Sequence, residues 1–272
     1  MRYLILGASG FLGKSIVDKI LRDTAAFVVL FDKAFDRKFI EERRSQRIEW
    51  VQGDIQRTED YVGILDRTDI VVHLVSTTRP TTILEKGCIQ EIEENVIPTI
   101  RLLDECVNKS IKKFVFVSSG GTVYGNTEAL LSREEDNTTP ICSYGVHKLM
   151  IEKYIYLYGL KLGLNYSIIR LSNPYGPFQD PKSGLGAITN FIWKAVNGEK
   201  IIIFGDGTSV RDYIYIDDTV RGILNICQYK GKERLFNLGT GKGTTLNEIV
   251  HIIEVCLNKK LEVDYQEARV SD

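Results

Sequence analysis

The chain predicts an α/β fold, a doubly wound parallel sheet with a smaller C-terminal lobe, on three observations. Short β-branched runs alternate with longer helical patterns. The runs are almost continuously apolar, as in strands covered on both faces, rather than alternating as in a half-exposed sheet. A glycine-rich turn joins the first run to the first helix, where such sheets bind nucleotides. In order, strands are predicted at residues 3–6, 27–31, 48–51, 70–74, 114–117 and 166–170, and helices at 11–21, 83–107 and 144–162. After Asn173-Pro174-Tyr175-Gly176-Pro177 the rhythm loosens, and Gly184, Gly186, Gly198, Gly205 and Gly207 punctuate shorter elements. The expected division is residues 1–173 as a dinucleotide-binding (Rossmann) domain and 174–272 as most of a substrate-binding lobe. Residues 212–240 are expected to rejoin the first domain, with 220–227 and 235–238 returning to the main sheet. The cleft between the lobes would lie at the carboxyl ends of the strands.

With 272 residues and 43% hydrophobic content, the chain can bury a full α/β core. Thirty-five basic and 36 acidic residues leave a net charge of -1, which gives no electrostatic footprint for nucleic acid or an anionic membrane. No apolar stretch approaches the ~20 residues of a membrane span, and Met1-Arg2 runs straight into a strand. A cytoplasmic protein is expected. Cys88, Cys106, Cys142, Cys227 and Cys256 are odd in number and scattered, against a disulfide framework. His73, His147 and His251 are too dispersed for a metal centre.

Gly7-Ala8-Ser9-Gly10-Phe11-Leu12-Gly13 follows the first strand and opens the first helix. Gly7 permits the tight turn, Gly10 lets the backbone approach a pyrophosphate, and Gly13 allows close packing of helix on strand. The helix N-terminus then offers unpaired N–H groups and a positive dipole end to the phosphates. Asp32 ends the second strand, where a carboxylate accepts hydrogen bonds from an adenosine ribose and repels a 2'-phosphate, favouring NAD over NADP. Lys33, Arg37 and Lys38 nearby weaken that preference. Asp54 after the third strand either bonds the adenine or caps the next helix.

The run Ser143-Tyr144-Gly145-Val146-His147-Lys148 puts a phenol and an ammonium one helical turn apart. Alone, this is an ordinary amphipathic helix. Beside a dinucleotide loop it suggests alcohol-to-ketone redox chemistry, in which positive charge from Lys148 and the nicotinamide lowers the tyrosine's pKa.

With these two residues added to the loop, the whole chain resembles the extended short-chain dehydrogenase/reductase family, particularly nucleotide-sugar epimerases of the UDP-glucose 4-epimerase type. Matching segments include Gly53-Asp54-Ile55, His73-Leu74, Asn95-Val96, Ser118-Ser119, Thr122-Val123-Tyr124-Gly125, Arg170 to Pro177, and Gly205 through Arg211-Asp212-Tyr213 to Asp218. The resemblance implies that Ile55, Leu74, Asn95 and Ser118 join Gly7, Gly10, Phe11, Leu12, Gly13, Asp32, Asp54, Tyr144 and Lys148 along the NAD. It implies that Asn173 and Arg211 contact a substrate diphosphate and that Ile202 and Phe204 line the uracil. The alternatives are that Asn173-Pro174 only initiates a turn and that Arg211 pairs with Asp206 or Asp212. Near the end, Arg269 and Asp272 resemble a phosphate-binding arginine and a ribose-binding aspartate, or form a solvated tail. Family members continue with a further helix-bearing stretch, so the chain is expected to be truncated there.

The implied reaction is 4-epimerisation of a UDP-hexose, glucose or galactose or their N-acetyl forms, through a transient 4-keto sugar. Related dehydratases place Asp and Glu immediately before the Val-Tyr-Gly, where this chain has Gly121 and Thr122, which disfavours dehydration. Gly120 stands where epimerases carry the hydroxyl that bonds the reacting alcohol; Thr122 is expected to replace it, with Ser119 as the other candidate, the alternative being that both only cap strand ends and satisfy the loop backbone. The helices at 83–107 and 144–162 would pair with their copies in a homodimer. Alternatives are another nucleotide-sugar epimerase or reductase of the family, or a catalytically silent dinucleotide-binding regulator.

Overall fold

A computed structural model describes residues 1–43, 45–80, 87–126 and 131–268. The chain runs β1 (Arg2–Leu6), α1 (Phe11–Asp23), β2 (Phe27–Asp32), α2 (Arg37–Glu42), β3 (Ile48–Gln52), α3 (Val62–Leu65), β4 (Ile70–His73), α4 (Cys88–Asn108), β5 (Lys113–Ser119), α5 (Gly120–Val123), α6 (Ser143–Leu162) and β6 (Tyr166–Leu171). It continues through β7 (Asn173–Tyr175), α7 (Ala187–Asn197), β8 (Ile201–Phe204), β9 (Val210–Tyr215), α8 (Ile216–Gln228), β10 (Leu235–Leu238), β11 (Gly243–Thr245), α9 (Leu246–Leu257) and β12 (Val263–Gln266).

The main sheet has seven strands in the order β10-β6-β5-β4-β1-β2-β3, all pairs parallel. Chain order reverses between β1 and β4, the topological switch point at which such sheets bind ligands. The fully apolar strands have the cause expected of them, since each face is sealed by its own cluster. Tyr3, Ile5, Val28 and Leu30 meet α1 and α8 on one side; Leu4, Leu6, Val29 and Phe31 belong with α4 and α6 to the other. Residues 220–227 return to this sheet as part of helix α8, which lays Val220, Ile223 and Cys227 against it, while β10 extends its edge. The predicted helix 83–107 is seen from Cys88 onward and passes through Pro98; residues 83–86 lie outside the described segments.

A smaller layer is built from β11-β9-β7, from the pair β12-β8, and from α7 and α9. Its own core comprises Phe191, Ala195, Ile201, Ile203, Ile249, Val250 and Ile253. Helix α9 starts from a capping box, Thr245 with Glu248, and α6 stops where Gly163 takes φ 72°, a conformation that favours glycine.

Candidate active site

The glycine turn is held by its backbone before any ligand is considered. Gly7 sits at φ 87°, and its N–H and that of Ala8 both donate to the Phe31 carbonyl. Gly13 has no room for a side chain, because a Cβ there would lie 2.3 Å from the Gly7 carbonyl oxygen. Gly10 differs: its φ is an ordinary -72°, and a Cβ would meet no protein atom closer than 3.4 Å. The fold does not require a glycine at 10, and the bare backbone there leaves room for a ligand to approach. Helix α1 also begins without a side-chain cap and with no acidic residue in its first turn, so the N–H groups of Phe11 and Leu12 stay available to an anion.

Asp32 accepts the Ser9 N–H at 2.9 Å and the Lys33 N–H at 2.8 Å, which fixes its carboxylate beside the turn. Asp54 accepts the Gln56 N–H and pairs with Lys33 at 2.9 Å; burial opposes its ionisation, but these partners hold its pKa low. Lys33 is therefore engaged rather than free to receive a 2'-phosphate. Leu74 borders the turn, its Cβ 3.3 Å from a Cβ built on Gly7, whereas the Ile55 side chain is buried in the core.

Tyr144 lies in the first turn of α6, and Lys148 one turn later lies with Nζ 5.6 Å from its ring centroid. The ammonium donates to the Val117 carbonyl at 3.0 Å and rests over the Phe116 ring. Burial pushes the Tyr144 phenol up to about 12, against the Ser119 hydroxyl, which acts in the opposite direction. Burial likewise pushes Lys148 down to about 8, with Glu152 opposing. The expected lowering of the tyrosine's pKa calls for the nicotinamide's charge together with that of Lys148, and the protein's own groups do not supply it alone. Desolvation outweighs them, and the ammonium is tied to a backbone carbonyl instead.

Ser119, at the end of β5, lies near enough to the phenol to favour its ionisation, and Thr122 on α5 packs under Gly145 with its hydroxyl buried and unpartnered among the described residues. A Cβ on Gly120 would press on the Arg170 and Leu171 carbonyls at 3.1 and 3.3 Å, so the bare residue is what lets α5 lie against β6. Across Gly121 stands the Asn173 amide, which donates to the Asp212 carbonyl at 3.1 Å. Next to it Arg211 is exposed and, among the described residues, bonds only the Val210 carbonyl. It is not salt-bridged to Asp206 or Asp212, whose carboxylates are taken by Thr208 and by Thr240 with Gly241. Its guanidinium keeps donors for phosphate oxygens. Ile202 and Phe204 alternate with buried Ile201 and Ile203, so they share the face of β8 turned from the small core. Arg269 and Asp272 lie outside the described residues.

Two expected cofactor contacts have their side chains engaged elsewhere. The Ser118 hydroxyl donates to Glu152, and the Asn95 amide bonds Thr77 and the Glu91 carbonyl. Sequence reasoning missed the network that includes Ser118. Arg170 grips Glu152 through Nε and Nη2, the latter at 2.8 Å, and reaches Tyr124 at 2.9 Å, which bonds Asn237. The signal available was Glu152 itself, an acid four residues after Lys148 on an otherwise apolar helix face.

The model of the NAD dependent epimerase/dehydratase family matches residues 3–239. The chain belongs to that family. A putative UDP-glucose 4-epimerase of Methanocaldococcus jannaschii is 33% identical over 268 residues, covering 98% of this chain and 86% of that protein. The dTDP-4-dehydro-6-deoxyglucose reductase of Escherichia coli is also 33% identical, over 97% of this chain and 84% of its own. The solved UDP-glucose 4-epimerase of Thermotoga maritima with UDP-glucose superposes with a TM-score of 0.92 at 31% identity, covering 100% of this chain and 87% of that one. Membership makes the chain an NAD-dependent enzyme of the epimerase/dehydratase family, and the bare Gly10, the uncapped α1 and the oriented Asp32 fit that coenzyme.

Proposed function

We propose that the enzyme interconverts a UDP-hexose, glucose or galactose or their N-acetyl forms, with its C4 epimer. The observation that carries this reading is the Tyr144–Lys148 pair at the carboxyl end of the sheet, beside a loop with Gly121 and Thr122 where elimination would need acids. NAD, when bound, supplies a positive charge near the phenol and a ring carbon that takes hydride from the sugar and returns it. Tyr144 as phenolate takes the proton of the C4 hydroxyl while that carbon is oxidised to the ketone, and gives it back as the alcohol re-forms on the other face. Lys148 keeps the phenolate stable by charge, and Thr122 holds the reacting oxygen. Arg211 and Asn173 hold the diphosphate, so that the sugar can turn without leaving, and Ile202 and Phe204 flank the base.

A second reading, reduction of a 4-keto nucleotide sugar, is favoured by the equally similar reductase from Escherichia coli. Purified protein incubated with UDP-galactose and no added reduced coenzyme distinguishes them. UDP-glucose formation supports epimerisation, and turnover of a keto-sugar only with stoichiometric NADH supports the reductase. No turnover of either leaves the silent regulator. The proposed assembly is a homodimer through α4 and α6, because Val146, Leu157 and Leu160 line the side of α6 away from Tyr144 and are exposed in the monomer, as is Ile97 on α4. Sedimentation at micromolar concentration tests it, and a monomer overturns it. No helix among the described residues is long and apolar enough to cross a membrane, and the proposed site of action is the cytoplasm.

A further inference from the structure

Besides Arg170 and Glu152, one other oppositely ionisable pair is buried on both sides among the described residues. His147 on α6 and Glu91 in the first turn of α4 face each other with Nδ1 and Oε2 3.5 Å apart, their side chains 5% and 1% exposed. They do not form a hydrogen bond, and neither atom has a hydrogen-bond partner among the described residues. Such incompletely paired groups weaken a core, and apolar residues would pack the same seam, as Val96, Ile151 and Ile155 of the same two helices pack in the cluster on this face of the sheet. Packing alone therefore does not account for the pair.

Its place on the helix ties it to the chemistry. On an α-helix, His147 projects about 60° to one side of Tyr144, and Glu152 about 80° to the other. The face that presents Tyr144 and Lys148 is thus gripped on both flanks, by Arg170 and Ser118 through Glu152 and by α4 through His147. From Glu91 the link continues outward. Its carbonyl accepts Asn95 Nδ2 at 2.9 Å, and the same amide bonds the Thr77 N–H and hydroxyl, each at 2.8 Å, on the segment that follows β4 beside the glycine turn.

We propose that Glu91 and His147 are positioning residues, registering the catalytic helix against the Asn95–Thr77 segment so that the Tyr144 hydroxyl and the coenzyme cleft keep one geometry. Burial holds the imidazole below its ordinary pKa, with Glu91 opposing by charge, so at neutral pH a neutral ring faces the Glu91 side chain at 3.5 Å without a formed hydrogen bond. The proposal rests on the redox role of Tyr144 given above and deepens it.

The test compares Glu91→Gln, His147→Asn, His147→Leu and the Glu91→Gln/His147→Leu double variant. The readouts are UDP-hexose turnover and calorimetric titration of NAD into the purified protein. Asn keeps a donor near the position of Nδ1, and Leu fills the space without one. His147→Leu and Glu91→Gln are each expected to lose about tenfold in kcat, with KM changed by less than about twofold and NAD affinity lowered. His147→Asn should recover most of both losses, and the double variant should be no worse than either single change. Equal losses in the Asn and Leu variants overturn the proposal, as do wild-type kcat and NAD affinity throughout. If His147→Leu fails to fold, Glu91→Gln, which keeps the shape, carries the same expectation. Should the wild type turn over no nucleotide sugar, the functional reading fails, while the NAD titrations still decide whether the pair registers the site.

Discussion

At the scale of single residues, the proton count of Tyr144 and Lys148 taken together sets the pH at which the proposed chemistry works. The productive arrangement, phenolate beside ammonium, holds one proton fewer than the pair does when both groups are protonated. With the phenol up at about 12 and the ammonium down at about 8, that proton leaves as pH rises through about 8. Turnover should therefore climb to about pH 8 and then level, because above that point the proton count is right and only its distribution is unfavourable. In Lys148→Arg the guanidinium stays charged throughout, so the break near 8 should vanish and the rise continue to more alkaline pH. A wild-type kcat/KM profile that falls above 8 would contradict this. Thr122 offers a cleaner test than Ser119. Its hydroxyl is buried without a partner, so Thr122→Val should leave the melting temperature unchanged or higher. A loss of turnover in that variant, expected to be about tenfold or about 1.4 kcal/mol, would then report a bond made to the substrate. Ser119→Ala instead removes a hydroxyl that favours ionisation of the phenol and should shift the pH profile as well as the rate.

At the scale of elements, the β1–turn–α1 unit separates what folding requires from what binding requires. Gly13→Ala would drive a Cβ to 2.3 Å from the Gly7 carbonyl and prise the helix off the strand, an overpacking that typically costs about 1–3 kcal/mol. Its melting temperature should fall and NAD affinity with it. Gly10→Ala meets nothing nearer than 3.4 Å, so the ligand-free protein should melt as the wild type does while NAD affinity drops at least about tenfold. If Gly10→Ala binds NAD normally, the pyrophosphate does not lie on this turn. These units were legible in the sequence because their information is local: a glycine spacing, a Tyr-x-x-x-Lys, and apolar runs sealed on both faces. The grip of Arg170 on Glu152 was not, since it joins β6 to α6 across 18 positions and each residue alone reads as an ordinary charge. The short strands β7, β9 and β11 were missed for the same reason. Three to six residues carry little periodicity, and what defines β7 is its pairing of Asn173 with Tyr213 and of Tyr175 with Tyr215.

For the whole molecule, the cluster that packs α4 and α6 on the sheet also covers His73, against Phe114 and Phe116, and this couples stability to pH. The ring is 1% exposed at the end of β4, with Nε2 2.9 Å from the Thr99 hydroxyl and Nδ1 unpartnered among the described residues. Burial first, and the Lys148 ammonium second, push its pKa down to about 3. Because the folded value lies below the unfolded one, near 6.5, the unfolded chain binds the extra proton first on acidification. The stability is fully present above about pH 6.5 and is lost as pH falls toward the folded value. Between pH 7 and 5 His73 alone should remove about 2 kcal/mol. His147, lowered in the same direction by burial, adds to the loss. Denaturant unfolding at the two pH values measures the sum. His73→Leu, which removes the titrating ring while Thr99 keeps its bond to the Asn95 carbonyl, should unfold with a visibly flatter pH dependence. Equal losses in wild type and variant would mean that the ring takes up its proton without unfolding the sheet, and that the core around β4 opens to water more readily than its burial implies.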